Sequence, residues 1–135
     1  MLNYPEYAVT SLSGRYLPYD AIKILTSKYA AKKVGVSVLG TPIELIELGN
    51  GKTKVLMWSQ MHGNESTTTK AVFDMLSYLT RSDVQSAILA HCTLYIIPIL
   101  NPDGSVAYTR FNANEVDLNR DAVALSQPES RVLRD

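Results

Sequence analysis

The chain has 135 residues, 46% of them apolar and 19% charged, and its 13 basic and 13 acidic side chains cancel. That length holds one domain rather than two, the composition is that of an ordinary soluble globular protein, and zero net charge argues against nucleic acid or an anionic membrane as a general partner. A lone cysteine, Cys92, rules out an intrachain disulfide and, at the start of an apolar run, reads as a buried free thiol.

The N-terminus, Met1-Leu2-Asn3-Tyr4-Pro5-Glu6-Tyr7, lacks the basic start and apolar core of a signal peptide. No apolar stretch is long enough to span a bilayer. The expected setting is therefore cytoplasmic.

In chain order, residues 18–32 read as an amphipathic helix opened by Pro18, with Ile22, Leu25 and Tyr29 at helical spacing. Val34, Val36 and Val38 alternate with small residues as a strand. Gly40-Thr41-Pro42 breaks it, and Ile43, Leu45, Ile46 and Leu48 form a second strand. Gly49-Asn50-Gly51 reads as a hairpin turn into a third strand over residues 54–59. That strand does not alternate, which suits a central position covered on both faces. Val72, Met75, Leu76 and Leu79 mark a helix. Ser82-Asp83 reads as a cap for another short helix containing Val84, Ala87 and Ile88. Residues 92–100 are a further unbroken apolar strand. Strand, helix and strand with so long a connection read as a parallel crossover. Together with the early hairpin, this predicts an α/β fold: a mixed, mostly parallel sheet with helices on both faces. Gln127-Pro128-Glu129 opens a last helix containing Val132 and Leu133. The chain stops about two turns into that helix, so it reads as the N-terminal part of a single domain.

Polar clusters follow both long apolar strands. The first is His62-Gly63-Asn64-Glu65. Imidazole nitrogen and carboxylate oxygen are good zinc ligands, and catalytic zinc commonly takes two His and one Glu. The second is Asn101-Pro102-Asp103-Gly104, whose main role reads as a tight turn. Parallel neighbours place both clusters at the carboxyl edge of the sheet, where ligand sites of open α/β folds lie. A third polar stretch, from Arg110 to Asp121, carries two arginines. A guanidinium grips a carboxylate through paired hydrogen bonds and stabilises an oxyanion without exchanging a proton.

In order and spacing, His62-Gly63-Asn64-Glu65, Asn101-Pro102-Asp103-Gly104, Arg110-Phe111-Asn112 and Val116-Asp117-Leu118-Asn119-Arg120 resemble the zinc carboxypeptidase (metallocarboxypeptidase) family, in its shorter bacterial form. The likeness runs from about residue 17 to the end and takes in Pro128-Glu129-Ser130. It implies one zinc ion per site, with His62 and Glu65 as its first two ligands. It implies that Arg110 polarises the scissile carbonyl, and that Asn119 and Arg120 clamp the terminal carboxylate of a peptide or peptide-like substrate. The family fold it implies is the phosphorylase/hydrolase-type α/β sheet, here incomplete.

Departures from the pattern bear on that reading. Asn64 stands where some members carry an arginine, so one accessory carboxylate contact is absent. Glu115 stands where glycine is common, which would alter the turn. The third zinc ligand and the catalytic glutamate of the family lie beyond residue 135. His91 sits at the far end of its strand from Asn101, roughly 20 Å or more away, and reads as a helix-end histidine. Glu115 and Glu129 have no geometric warrant as general base. Murein-peptide amidases belong to the same family. Deacylases similar to succinylglutamate desuccinylase and aspartoacylase share the His-Gly-x-Glu arrangement and an Asn-Arg pair, and stay open as an alternative. So does a truncated, non-catalytic fragment. The complete 101–104 cluster and Pro128-Glu129-Ser130 favour the peptidase.

Overall fold

The computed structural model describes residues 4–81 and 84–134, without the side chains of residues 81 and 84–86. Its strands are β1 (Lys32–Val36), β2 (Pro42–Leu48), β3 (Thr53–Trp58) and β4 (Cys92–Ile97). Its α-helices are α1 (Tyr19–Lys28), α2 (Thr67–Arg81), α3 (Val84–His91), α4 (Pro102–Ala107) and α5 (Pro128–Val132). The strands form one mixed sheet in the order β1-β2-β4-β3. β1 and β2 pair antiparallel, as do β2 and β4, while β3 runs parallel to β4 from Thr53 opposite Cys92 to Trp58 opposite Ile97. Among these strands the antiparallel pairings thus outnumber the parallel one. The expected cap at Ser82-Asp83 lies outside the described residues.

The pleat sends alternate side chains to opposite faces, and each face has its own core. Ile46, Leu94 and Ile96 pack with Ile22 of α1, Phe73, Leu76 and Leu79 of α2, and Leu89 of α3. On the other face Ile43 and Ile97 pack with Leu100 and Leu118, and Val132 of α5 closes against them. Each such side chain taken from water contributes about 1.5–3 kcal/mol.

The expected hairpin between β2 and β3 does not form. The hairpin is β1–β2, whose turn is closed by Ser37 N donating to Thr41 O at 2.9 Å. Gly49-Asn50-Gly51 instead carries the chain past the end of β4 to its far side. Asn50 N donates to Leu89 O at 3.1 Å and Gly51 N to Cys92 O at 3.2 Å. A Cβ on Gly51 would sit 1.9 Å from the His91 carbonyl carbon, so only glycine passes there. Among the described residues β3 consequently pairs with β4 alone. Its Val55 and Met57 join the first core, but Leu56 and Trp58 on its other face are 42% and 45% exposed.

Other boundaries have local causes. The strand of residues 92–100 ends at Ile97 because Pro98 has no N–H for the ladder. The pairing resumes with Leu100 N donating to Ser59 O at 3.0 Å and Asn101 N to Gln60 O at 3.2 Å. Pro18 precedes the first turn of α1 as its cap rather than opening the helix. Cys92 is only half-buried. Asn101-Pro102-Asp103-Gly104 is the start of α4, not a tight turn: the Asn101 side chain caps it by accepting from Gly104 N at 2.9 Å.

Candidate metal centre

The site grows from the end of β3. Gln60 leaves the strand with φ +47, a left-handed conformation rare for a side-chain-bearing residue. Three anchors hold it there. Gln60 Nε2 donates to Leu17 O at 2.9 Å and to Gly63 O at 2.8 Å, and Thr69 Oγ1 of α2 donates to Gln60 Oε1 at 2.7 Å. The redirected backbone brings Gly63 against α4 so tightly that a Cβ at residue 63 would lie 1.9 Å from the Gly104 carbonyl carbon. Asn101 Nδ2 donates to Met61 O at 3.2 Å, joining the two strand-end clusters.

His62 therefore emerges almost fully buried, between two carboxylates. Its Nδ1 lies 3.2 Å from Glu65 Oε2, and its Nε2 lies 3.0 Å from Asp117 Oδ1. Asp117 is the hub. Its Oδ1 also accepts from Asn119 N at 3.0 Å, and its Oδ2 accepts from Arg110 Nε at 3.1 Å. Arg110 Nη1 reaches Glu65 Oε1 at 3.5 Å. Partial burial opposes ionisation of Asp117, but hydrogen bonds from His62, the Asn119 backbone and Arg110 outweigh it and hold the carboxyl below the usual range. As a carboxylate, Asp117 accepts from Nε2–H and so fixes the tautomer in which Nδ1 carries the lone pair.

That tautomer tests the fit of a metal. Two acceptors facing each other at 3.2 Å repel unless a cation or proton lies between them. Two ligands about 2.0–2.1 Å from a tetrahedral zinc are about 3.3 Å apart, close to the spacing seen. His62 and Glu65 thus suit two positions of a zinc site, with Asp117 as the partner of the second ring nitrogen. Asp117 is not a third ligand, because it meets the opposite side of the ring. Among the described residues, no group of three or more His, Cys, Asp or Glu is arranged to hold a metal. His91 ends α3, exposed, with Nδ1 2.7 Å from Ala87 O.

The other expected residues sit on the same rim. Asn119 and Arg120 form, with Leu118, a single 3-10 turn capped by Asp117, and both are exposed. Asn119 faces a cavity of about 370 Å³ with Trp58, Met61, Leu118 and Ser130. Glu115 adopts φ +60, taking up the left-handed conformation itself. Its N–H donates to Asn112 O at 3.0 Å. Glu129 is fully buried and structural: its carboxylate accepts from Val38 N and Asn112 Nδ2, both at 3.1 Å. Sequence reasoning missed the roles of Gln60 and Asp117. The signal for Asp117 was present: a ligating histidine needs a partner on its second nitrogen, and Asp117 lies two residues before Asn119.

A mixed α/β sheet with a histidine held between carboxylates at the carboxyl ends of its parallel strands defines the class. The profile of the zinc carboxypeptidase family matches residues 20–128, and the chain belongs to that family. Carboxypeptidase SOL1 of Arabidopsis thaliana is 28% identical over 120 residues, covering 74% of this chain and 24% of its own length. Gamma-D-glutamyl-L-diamino acid endopeptidase 1 of Lysinibacillus sphaericus is 34% identical over 80 residues, covering 53% of this chain and 20% of its own. The crystal structure of a metallo-carboxypeptidase from Burkholderia cenocepacia superposes with a TM-score of 0.79 at 27% identity, over 87% of this chain and 37% of that one. The chain therefore spans well under half the length of each of these relatives.

Proposed function

We propose that this chain supplies part of the active site of a carboxypeptidase-type hydrolase, which cleaves an amide bond next to a free carboxylate. The single observation that carries this reading is the clamp on His62: Asp117 on Nε2 and Glu65 facing Nδ1, with Arg110 reaching both carboxylates. His62 and Glu65 would hold zinc, which polarises a carbonyl and lowers the pKa of water when bound. Arg110, fixed by Asp117, presents a permanent positive charge to the oxyanion of the tetrahedral stage. Asn119 and Arg120 hold the terminal carboxylate and so select which bond is cut. Because one carboxylate orients the ligand, the arginine and the clamp turn, the three functions stay in register.

The test is zinc-dependent hydrolysis, by a full-length domain carrying these residues, of a hippuryl-type dipeptide, its C-terminal amide and an N-acyl amino acid. Preference for the free acid over the amide supports the reading. Faster turnover of the acyl amino acid overturns it in favour of a deacylase. The Lysinibacillus relative, whose name describes cleavage at a gamma-D-glutamyl-L-diamino acid bond, favours a second reading: trimming of peptidoglycan peptides. A γ-D-glutamyl-diaminopimelate peptide in the same assay separates the two.

A further inference from the structure

A second cavity, of about 480 Å³, is lined by Arg15, Asn64, Glu65, Thr67, Thr68 and Tyr108. We infer that this cavity is a subsite for a carboxylate on the acyl side of the scissile amide, with Arg15 as the group that grips it. The inference rests on the hydrolase reading above and adds a substrate class to it: peptides whose acyl residue is acidic.

The wall that carries Arg15 is built rather than loose. Ser66 Oγ donates to Arg15 O at 2.6 Å, Lys70 Nζ to Gly14 O at 2.8 Å and Gln60 Nε2 to Leu17 O at 2.9 Å. From the other side, Tyr16 OH donates to Val106 O at 3.1 Å, and the Tyr16 ring meets Tyr108 edge-on at 6.1 Å. Residues 14–17 therefore bridge the strand-end loop and α4, and Arg15, exposed, lines the cavity beside them. Its guanidinium has no carboxylate partner among the described residues, whereas Arg110 is engaged by two. A free guanidinium offers a carboxylate two parallel hydrogen bonds.

Position decides which part of a substrate would meet it. Asn119, the proposed holder of the terminal carboxylate, opens on the other cavity, on the Met61 side of His62. Arg15 shares a different cavity with Glu65 and Asn64, and the two cavities have no lining residue in common. With the leaving residue held at Asn119, an amide bond at His62 and Glu65 leaves the cavity that Glu65 shares with Arg15 to the acyl residue. Arg15 also precedes the stretch matched by the family profile, residues 20–128, so the family likeness assigns it nothing.

The experiment compares two peptides with the same leaving residue, one with glutamate and one with glutamine at the acyl position. A full-length domain carrying these residues, of which this chain matches 37% in the Burkholderia structure, is loaded with zinc and assayed as wild type, Arg15→Gln, Arg15→Lys and Lys33→Gln, the last removing the same charge from β1. The expected result is a kcat/KM preference for glutamate of about tenfold or more, carried mainly by KM. It falls toward one in Arg15→Gln, survives in part in Arg15→Lys and is intact in Lys33→Gln. A preference unchanged by Arg15→Gln, or no preference in the wild type, overturns the subsite. Equilibrium binding of the two peptides, read by calorimetry without turnover, keeps the readings apart. Arg15-dependent preference in binding without hydrolysis supports the subsite and sinks the hydrolase reading. Hydrolysis without preference does the reverse. The loop is held through backbone carbonyls, which Arg15→Gln retains.

Discussion

Asp117 has more to do than any other side chain at the site, and it acts through other residues. Its two oxygens serve His62, Asn119 and Arg110 at 3.0, 3.0 and 3.1 Å. Asp117→Asn keeps one acceptor oxygen and turns the other into a donor, so either the His62 ring or Arg110 loses its partner. Zinc affinity should fall by about 10–100-fold, the usual cost of losing such a partner. A competition titration against a chromogenic chelator measures it; unchanged affinity with an intact fold would remove Asp117 from the site. Asp121 plays a different part, closing the loop into α5 by accepting from Ser126 N at 2.9 Å, Ser126 Oγ at 2.6 Å and Gln127 N at 2.8 Å. Burial opposes its charge, yet these hydrogen bonds win and hold its carboxyl far below the ordinary range. A depressed folded-state pKa contributes stability that is complete above the unfolded value, near about 3.9, and is lost as pH falls below it. Asp121→Asn should therefore lower the melting temperature by a constant amount above about pH 5, and the difference should shrink as pH drops below about 4. Melts from pH 2 to 8 give the curve; a difference that grows toward acid would refute the assignment.

Periodicity carried the elements well where each covers one face of the sheet. Val72, Leu76 and Leu79 gave α2 its buried stripe, and the alternation of β1 and β2 survives as their hairpin. It failed where the outcome depended on what packs beside an element. Gly49-Asn50-Gly51 has the composition of a hairpin turn, but the glycines serve close passage beneath His91 and Cys92, a contact between segments some forty residues apart that no local rule contains. The run of residues 101–104 is likewise composed like a turn. Its buried Asp103 accepts from Ser37 Oγ at 2.7 Å, Leu39 N at 2.9 Å and Thr41 Oγ1 at 3.0 Å. One carboxylate thus locks the start of α4 to the β1–β2 turn. The site was legible in part for the same reason. His62 and Glu65 share one loop, whereas their placement depends on Gly63 meeting Gly104. Gly63→Ala should cost about 1–3 kcal/mol, as overpacking against backbone does, and should also disturb both ligands. Denaturant unfolding together with a zinc titration reads both effects. Full stability in that variant would show that the two loops can separate freely.

Across the molecule, two features point the same way. Among the described residues β3 pairs only with β4 and exposes apolar surface at Leu56 and Trp58, and the metal position has two suitable ligands beside it. A zinc ion with two protein ligands is held far less firmly than one with the three usual in catalytic sites. Each further ligand adds to affinity, and His62 must give up any proton on Nδ1 before it binds. Glu65 is exposed and pairs with Arg110 at 3.5 Å, an interaction that competes with the metal, though exposed pairs of this kind are worth only about 0–1 kcal/mol. The 135-residue chain by itself should therefore bind zinc at one site with a Kd in the micromolar range or weaker, and His62→Ala should abolish that binding. Peptide hydrolysis by the same sample should stay at background. Calorimetric titration of metal-stripped protein measures the first quantity, and sedimentation under the same conditions tells whether copies associate through the β3 edge. Nanomolar, one-to-one binding by a monomer would mean that these residues complete the coordination without a third ligand from elsewhere, and the half-site reading would fail. Tight binding that appears only as copies associate would place the missing ligand on a neighbouring chain, at the edge that β3 leaves open.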